Sequence, residues 1–327
     1  MSELPAELKA ALERRIEGLS RSDAARRARS ISDVYRSGGN SLSIRSEDDA
    51  LAYALVRMPA TYAALSACLN AIAEARPEFA PNSLLDVGAG PGTATWAAAK
   101  AFSSLEEFAL IDSNDSLRAL ALELANASSA IAAPNYMKGD AATLLATSQP
   151  ADLVVASYVA GELGDTTRTN LADAMWSRTK DTLLIVEPGT PAGYARIIGL
   201  RAHLIAKGAH VVAPCPHDLA CPLEAPDWCH FSQRLARSRA HKQIKGADVP
   251  FEDEKFSYVA LSRMPVRERP SRVLAQPKIS KVAVTMKVCA AGGAGTKNVP
   301  HRDKQNYSIA RKLNWGDAIP EKIFTAE

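Results

Sequence analysis

A short apolar run that closes on an acid and a glycine-rich turn constrains this chain most: Leu84-Leu85-Asp86-Val87-Gly88-Ala89-Gly90-Pro91-Gly92, with a helix predicted from Thr93. Glycines let the backbone turn sharply and approach a ligand that a Cβ would block. The helix start adds free N–H groups and a positive dipole end. The same texture continues downstream. Strands are predicted at Ser83 to Val87, Phe108 to Ile111, Leu153 to Ala156 and Leu183 to Val186. Helices are predicted at Thr93 to Phe102, Ser116 to Ala127 and Ala192 to Lys207, the last closed by Gly208. Strands alternating with helices predict an α/β fold with a parallel, Rossmann-like sheet covered on both faces.

The dinucleotide fingerprint G-x-G-x-x-G/A, counted from Gly88, needs a small residue where Thr93 stands, so the loop departs from it. An acid followed by G-x-G-x-G resembles motif I of class I methyltransferases. That resemblance implies S-adenosyl-L-methionine as ligand, with Asp86 placing the methionine amino group and Gly88, Gly90 and Gly92 leaving room for methionine and ribose. Asp112 ends the next strand, where a carboxylate can accept both ribose hydroxyls. Asp140, in Gly139-Asp140-Ala141, falls where methyltransferases bind the adenine amino group. Helix capping is the alternative role for Asp112 and Asp140. On the acceptor side, Ala156-Ser157-Tyr158-Val159-Ala160-Gly161-Glu162 stands in place of the Asn-Pro-Pro-aromatic motif of amino-group methyltransferases. Glu162 and Glu187 either line the cleft or are structural, and no residue is named as catalytic.

The segment from Pro214 to Phe231 has a second chemistry. It holds Cys215, Cys221 and Cys229, spaced by five and seven residues and stiffened by four prolines. Stiff connections reduce the entropy lost when thiols converge on one centre. Thiolates suit zinc or iron–sulfur, and the absence of a C-x₂₋₄-C knuckle leans away from zinc. Cys289 is the leading candidate for a fourth ligand, with His217 and His230 as alternates more simply read as surface or capping residues. Cys68 reads as a core residue of a helix.

Several further segments carry a resemblance. Ala52-Tyr53, Arg57-Met58-Pro59-Ala60-Thr61-Tyr62, Leu85 to Thr93, Glu187-Pro188-Gly189-Thr190, Cys215 to Phe231, Glu252 to Tyr258 and Ala310 to Asp317 are similar to the mitochondrial small-ribosomal-subunit methyltransferase-like assembly factors and their bacterial relatives. The resemblance implies a 4Fe-4S cluster on Cys215, Cys221, Cys229 and Cys289, a retained S-adenosylmethionine pocket, and association with small-subunit rRNA during assembly. Three functions compete: rRNA methylation, a non-catalytic RNA-binding assembly factor, and a zinc-containing small-molecule methyltransferase.

Net charge is only +3, so position decides what the charge does. The basic segments 234–245 and 297–312 flank the cysteine loop and can neutralise phosphates. Trp315 and Tyr307 offer rings for base stacking, and Glu252-Asp253-Glu254 reads as a solvated turn. Apolar runs are too short to span a bilayer. Early Glu3 and Glu7 without an apolar stretch predict neither a secretory signal nor a transit peptide. The expectation is a monomer in the bacterial cytoplasm, or in the mitochondrial matrix if eukaryotic. Four regions are expected: a helical region over 1–80, with its second helical run interrupted at Pro59; a cofactor-binding core over 81–212; a cysteine-rich loop with later core strands over 213–270; and a basic appendage over 271–327.

Overall fold

The computed structural model describes residues 3–323 apart from 17–19, 37, 38, 40, 238–241, 243–248 and 268. Three helices lead in: α1 (Ala6–Ile16), α2 (Arg21–Arg36) and α3 (Glu47–Ala75). Then β1 (Ser83–Val87), α4 (Thr93–Ala101), β2 (Glu107–Asp112), α5 (Asp115–Ala125), β3 (Asn135–Lys138), α6 (Ala141–Leu145), β4 (Ala151–Ser157), α7 (Asp165–Arg178), β5 (Thr179–Pro188) and α8 (Pro191–Ile205) alternate. Strands β6 (His210–Ala213), β7 (Phe231–Ala236) and β8 (Phe251–Ser262) complete a sheet in the order β3-β2-β1-β4-β5-β8-β6, with β7 paired to β8. Strands β1 to β5 run parallel, and β8 is antiparallel to β5, β6 and β7.

Both faces of this sheet are buried, and alternation along each strand divides the core. Leu84, Leu153, Val155, Leu184 and Val186 pack under α3, α4 and α5. Leu85, Val87, Val154, Ala156, Leu183 and Ile185 meet Leu171, Met175, Trp176, Ile197, Leu200 and Leu204 of α7 and α8. The chain winds outward from β1 to β3, then restarts on the other side with β4. Beyond the carboxyl ends of β1 and β4 such a reversal leaves a crevice, the usual ligand position in open α/β sheets.

Helix α3 corrects one expectation: it runs unbroken from Glu47 to Ala75 with Pro59 inside. Proline forfeits one helical hydrogen bond, yet most of this helix is buried against the sheet and its neighbouring helices, and tertiary packing outweighs local propensity. Ser46 caps its start by accepting from the Asp49 N–H at 3.2 Å. Beyond the main sheet, β9 (Arg272–Val273), β10 (Lys278–Ile279), β11 (Ala283–Ala290) and β12 (Gly293–Pro300) form a four-stranded sheet. It encloses its own core with α9 (Lys304–Ala310), around Val273, Val284, Met286, Val299 and Ile319. Among the described residues no helix is long and apolar enough to cross a membrane.

Candidate functional site: a glycine-loop cleft and a four-thiol cavity

The loop after β1 is built as its residues require. Gly88, Gly90 and Gly92 have φ of +68°, +53° and +79°, the left-handed region that a side chain disfavours. At Gly88 a Cβ would also lie 2.3 Å from Val159 Cγ2, so this turn has no room for one. Asp112 pins the loop from the end of β2. Its Oδ2 accepts the Gly90 N–H at 2.9 Å and its Oδ1 the Asn114 N–H at 2.8 Å. Tyr136 donates its hydroxyl to the Gly90 carbonyl at 2.7 Å.

Asp86 is fully buried. Its Oδ2 accepts from the Thr95 N–H at 3.1 Å and the Thr95 hydroxyl at 2.8 Å, while Oδ1 has no partner. Burial pushes its carboxyl up to about 7, against the pull of the Thr95 bonds. Burial also raises Asp112, opposed by the loop N–H groups. Asp140 is exposed and caps α6, accepting from the Thr143 N–H and hydroxyl at 2.9 Å each, which holds its carboxyl below the usual range. Asp140 thus takes the capping role that was the alternative for it. Asn114, not Asp112, caps α5.

On the acceptor side Tyr158 has φ +61° and donates its hydroxyl to Glu254 Oε1 at 3.0 Å. Arg57 of α3 grips that carboxylate with both terminal nitrogens, at 3.1 and 3.3 Å. Glu252, Asp253 and Glu254 lie on β8, paired with Arg237, Arg234 and Arg57, which corrects the solvated-turn expectation. Glu187 is buried: Arg196 Nε donates to its Oε2 at 2.6 Å and its Oε1 has no partner. Glu162 ends a short 3-10 turn, Ala160–Glu162. Glu187 to Thr190 serves the backbone as well. A Cβ on Gly189 would come within 2.7 Å of the Phe256 nitrogen, and Thr190 caps α8 by accepting from the Gly193 N–H at 3.1 Å.

The cysteines behave as a group. Cys215, Cys221, Cys229 and Cys289 all line one cavity, together with His217, Tyr194, Arg201, Tyr258 and Arg272. Three come from the loop between β6 and β7, and Cys289 arrives on β11 of the second sheet. Among the described residues, however, no three His, Cys, Asp or Glu side chains form a group that could hold a metal ion. The four thiols wall a shared space. Burial raises Cys215 and Cys229, and pushes Cys289 up to about 12; neighbouring thiols add to the rise on Cys229 and Cys289, while Arg201 draws Cys215 and Cys289 back. Tyr194 donates its hydroxyl to Cys221 Sγ at 3.2 Å. The loop is tied down by Ser257, whose hydroxyl donates to the Cys229 carbonyl at 2.8 Å, and by Trp228 Nε1, which donates to the Gly189 carbonyl at 3.0 Å.

The two histidine alternates separate. His217 is buried in the cavity wall with Nδ1 unpartnered. His230 stacks on Trp228 and meets Trp315 edge-on, as a packing element beside the cavity. Cys68 is wholly buried in α3. Arg201 and Arg272, absent from the sequence-derived site, are prominent in it. A signal for Arg201 existed: it shares the buried stripe Ile197, Leu200, Leu204 of α8, where a charge is out of place.

In the segment 234–245, Arg234 pairs with Asp253 and Arg237 with Glu252, while residues 238–241 and 243–245 lie outside the described residues. In the segment 297–312, Arg302, Lys304, Arg311 and Lys312 are exposed. Tyr307 donates its hydroxyl to the Ser280 carbonyl at 2.8 Å, and Trp315 Nε1 donates to the His230 carbonyl at 2.7 Å.

The strand order with its antiparallel β8 inserted between β5 and β6, and the acid–glycine loop after β1, define a class I methyltransferase fold. A family profile described as mitochondrial small ribosomal subunit Rsm22 matches residues 47–320, and the chain belongs to that family. It is 29% identical over 296 residues to "Ribosome assembly protein METTL17, mitochondrial" of Homo sapiens, covering 83% of this chain and 62% of the human one. It is 24% identical over 322 residues to "Rsm22-cox11 tandem protein 2, mitochondrial" of Schizosaccharomyces pombe, covering 83% of this chain and 43% of that one. The chain therefore spans less than two thirds of the length of these curated relatives. Among solved structures it is similar to magnesium protoporphyrin IX methyltransferase from Synechocystis with bound SAM, at TM-score 0.40 and 13% identity over 63% of this chain and 80% of that one.

Proposed function

We propose that this chain is a small-subunit assembly protein that binds S-adenosylmethionine in the Asp86–Asp112 cleft and a 4Fe-4S cluster on Cys215, Cys221, Cys229 and Cys289. The observation that carries the proposal is the convergence of those four thiols on one cavity, from a proline-stiffened loop and a distant strand. A single zinc needs four ligands on a tight tetrahedron, with Zn–S near ~2.3 Å; a cluster is larger and holds its thiolates further apart. Either centre needs its thiols around one space, as these four are. Zinc remains the competing metal.

In the cleft, the unpartnered Oδ1 of Asp86 is an acceptor awaiting a donor, and the methionine ammonium is one. Asp112 retains lone pairs for ribose hydroxyls, and Asp140 stands at the adenine end. When bound, S-adenosylmethionine supplies an electrophilic methyl group. What this chain's residues do near it favours binding over transfer. The Tyr158 hydroxyl is committed to Glu254, and Val159 packs against the glycine turn. Methylation of rRNA is the second reading, supported by the fold and loop themselves. The five free cysteines fit a reducing compartment, the bacterial cytoplasm or the mitochondrial matrix.

The relatives' names point to ribosome assembly, and the exposed cations of 302–312 give small-subunit rRNA a surface to meet. The test is sedimentation of the protein with immature small subunits, followed by incubation with methyl-labelled S-adenosylmethionine. Co-sedimentation without label in the rRNA supports the assembly reading, and label at a defined nucleotide supports methylation. A protein that ignores the particles contradicts both.

A further inference from the structure

Arg201 and Arg272 are the least expected residues in the cavity wall. They are 3% and 4% exposed, and each leaves its Nε–H buried without an acceptor. Arg201 gives a terminal N–H to the His217 carbonyl at 2.7 Å, and Arg272 gives one to the Gly316 carbonyl at 3.1 Å. Among the described residues, neither forms an ion pair with a carboxylate. Two buried guanidinium groups without a counter-charge are costly. Both line the space bounded by the four thiols, and Arg272 sits directly opposite Cys289 in the β9–β11 ladder, which puts the two side chains on one face.

We propose that Arg201 and Arg272 are the counter-charges of the thiolate-bound centre, neutralising it and directing N–H donors at its sulfurs. This rests on the cluster reading above. Four thiolates around a 4Fe-4S core leave a net charge of about two minus, and net charge and hydrogen bonds to sulfur set such a centre's potential. The two guanidinium groups balance that charge. Tyr194, donating to Cys221, adds a neutral third donor. Both arginines are positioning residues: they act on the centre through its thiolates.

The test uses the full chain, purified without oxygen, as wild type, Arg201→Met, Arg272→Met and the two Arg→Lys variants. Iron and sulfide per chain, iron retention against a chelator and the midpoint potential in dithionite titrations are measured on each. Losing a positive charge disfavours the added electron. Each Met variant is expected to shift the one-electron equilibrium at least tenfold toward the oxidised form, about 59 mV more negative, and to release iron several-fold faster. The Lys variants, which keep the charge, are expected to stay near wild type in potential, a rescue that a merely structural role would not give. If the wild-type centre takes no electron, retention decides alone. Met variants that load iron, keep it and match the wild-type potential overturn this inference while leaving the cluster reading intact. A wild type that loads no iron removes both.

Discussion

Asp86→Asn separates a buried acid that burdens the fold from one that supports it. Asp86 is wholly enclosed, with one oxygen held by Thr95 and the other unpartnered, and burial lifts its carboxyl from 3.8 to about 7. The sign follows from the direction. A carboxyl with a folded value above its unfolded one favours the protonated fold. Its contribution to stability is complete below about 4 and is lost as pH rises through about 7. At roughly 1.4 kcal/mol per pKa unit, the loss at pH 8 has an upper bound of about 4 kcal/mol. Asparagine carries no charge, but its amide nitrogen replaces an oxygen that already lacks a partner, at a cost of ~1–3 kcal/mol. Without ligand, the variant is expected to exceed wild type by at most about 1–3 kcal/mol at pH 8 and to fall below it at pH 4.5. Urea unfolding at several pH values measures this. Added S-adenosylmethionine should reverse the order at pH 8, since its ammonium gives the Asp86 carboxylate the partner it lacks. A variant equally destabilised at both pH values, with an undiminished ligand response, would refute the reasoning.

Other perturbations address other parts of the account. Gly193→Ala places a Cβ 1.9 Å from the Pro188 carbonyl oxygen at the start of α8. It is expected to cost at least about 3 kcal/mol, the upper range for overpacking, read as a lowered urea midpoint. Glu254→Gln removes the carboxylate charge facing Arg57 and leaves one acceptor oxygen for Arg57 and the Tyr158 hydroxyl to share. A loss of roughly 2 kcal/mol is expected, less than the ~3–5 of a fully buried pair, because Arg57 keeps 33% of its side chain accessible. Arg302→Ala with Lys312→Ala should lower the slope of log affinity for small-subunit rRNA against log salt by about 1 for each phosphate that the pair neutralises. An unchanged slope places the RNA surface elsewhere.

The parallel core was legible because its strands are buried on both faces and read as compact apolar runs: Leu84 to Val87 and Leu183 to Val186 mark β1 and β5 well. Strands β3 and β12 escaped because Asn135 to Lys138 and Gly293 to Pro300 are partly exposed and lack such runs. Helix α3 defied its proline because packing on the sheet, invisible in local sequence, outweighs one lost hydrogen bond. The acidic run Glu252 to Glu254 looked like a turn, since nothing local discloses Arg234, Arg237 and Arg57 waiting across the fold. In the candidate site, the three loop cysteines announced themselves by spacing. The approach of Cys289 depends on a second sheet docking beside the first, and Arg272 arrives with it through strand pairing. Long-range register of that kind leaves no periodic trace.

The most direct measurement is elemental: iron, acid-labile sulfide and zinc per chain after anaerobic purification, on wild type and Cys221→Ser. About four irons and matching sulfide in a brown wild type, lost with the colour in the variant, is the predicted result. One zinc per chain with no iron, in a colourless protein, would contradict it.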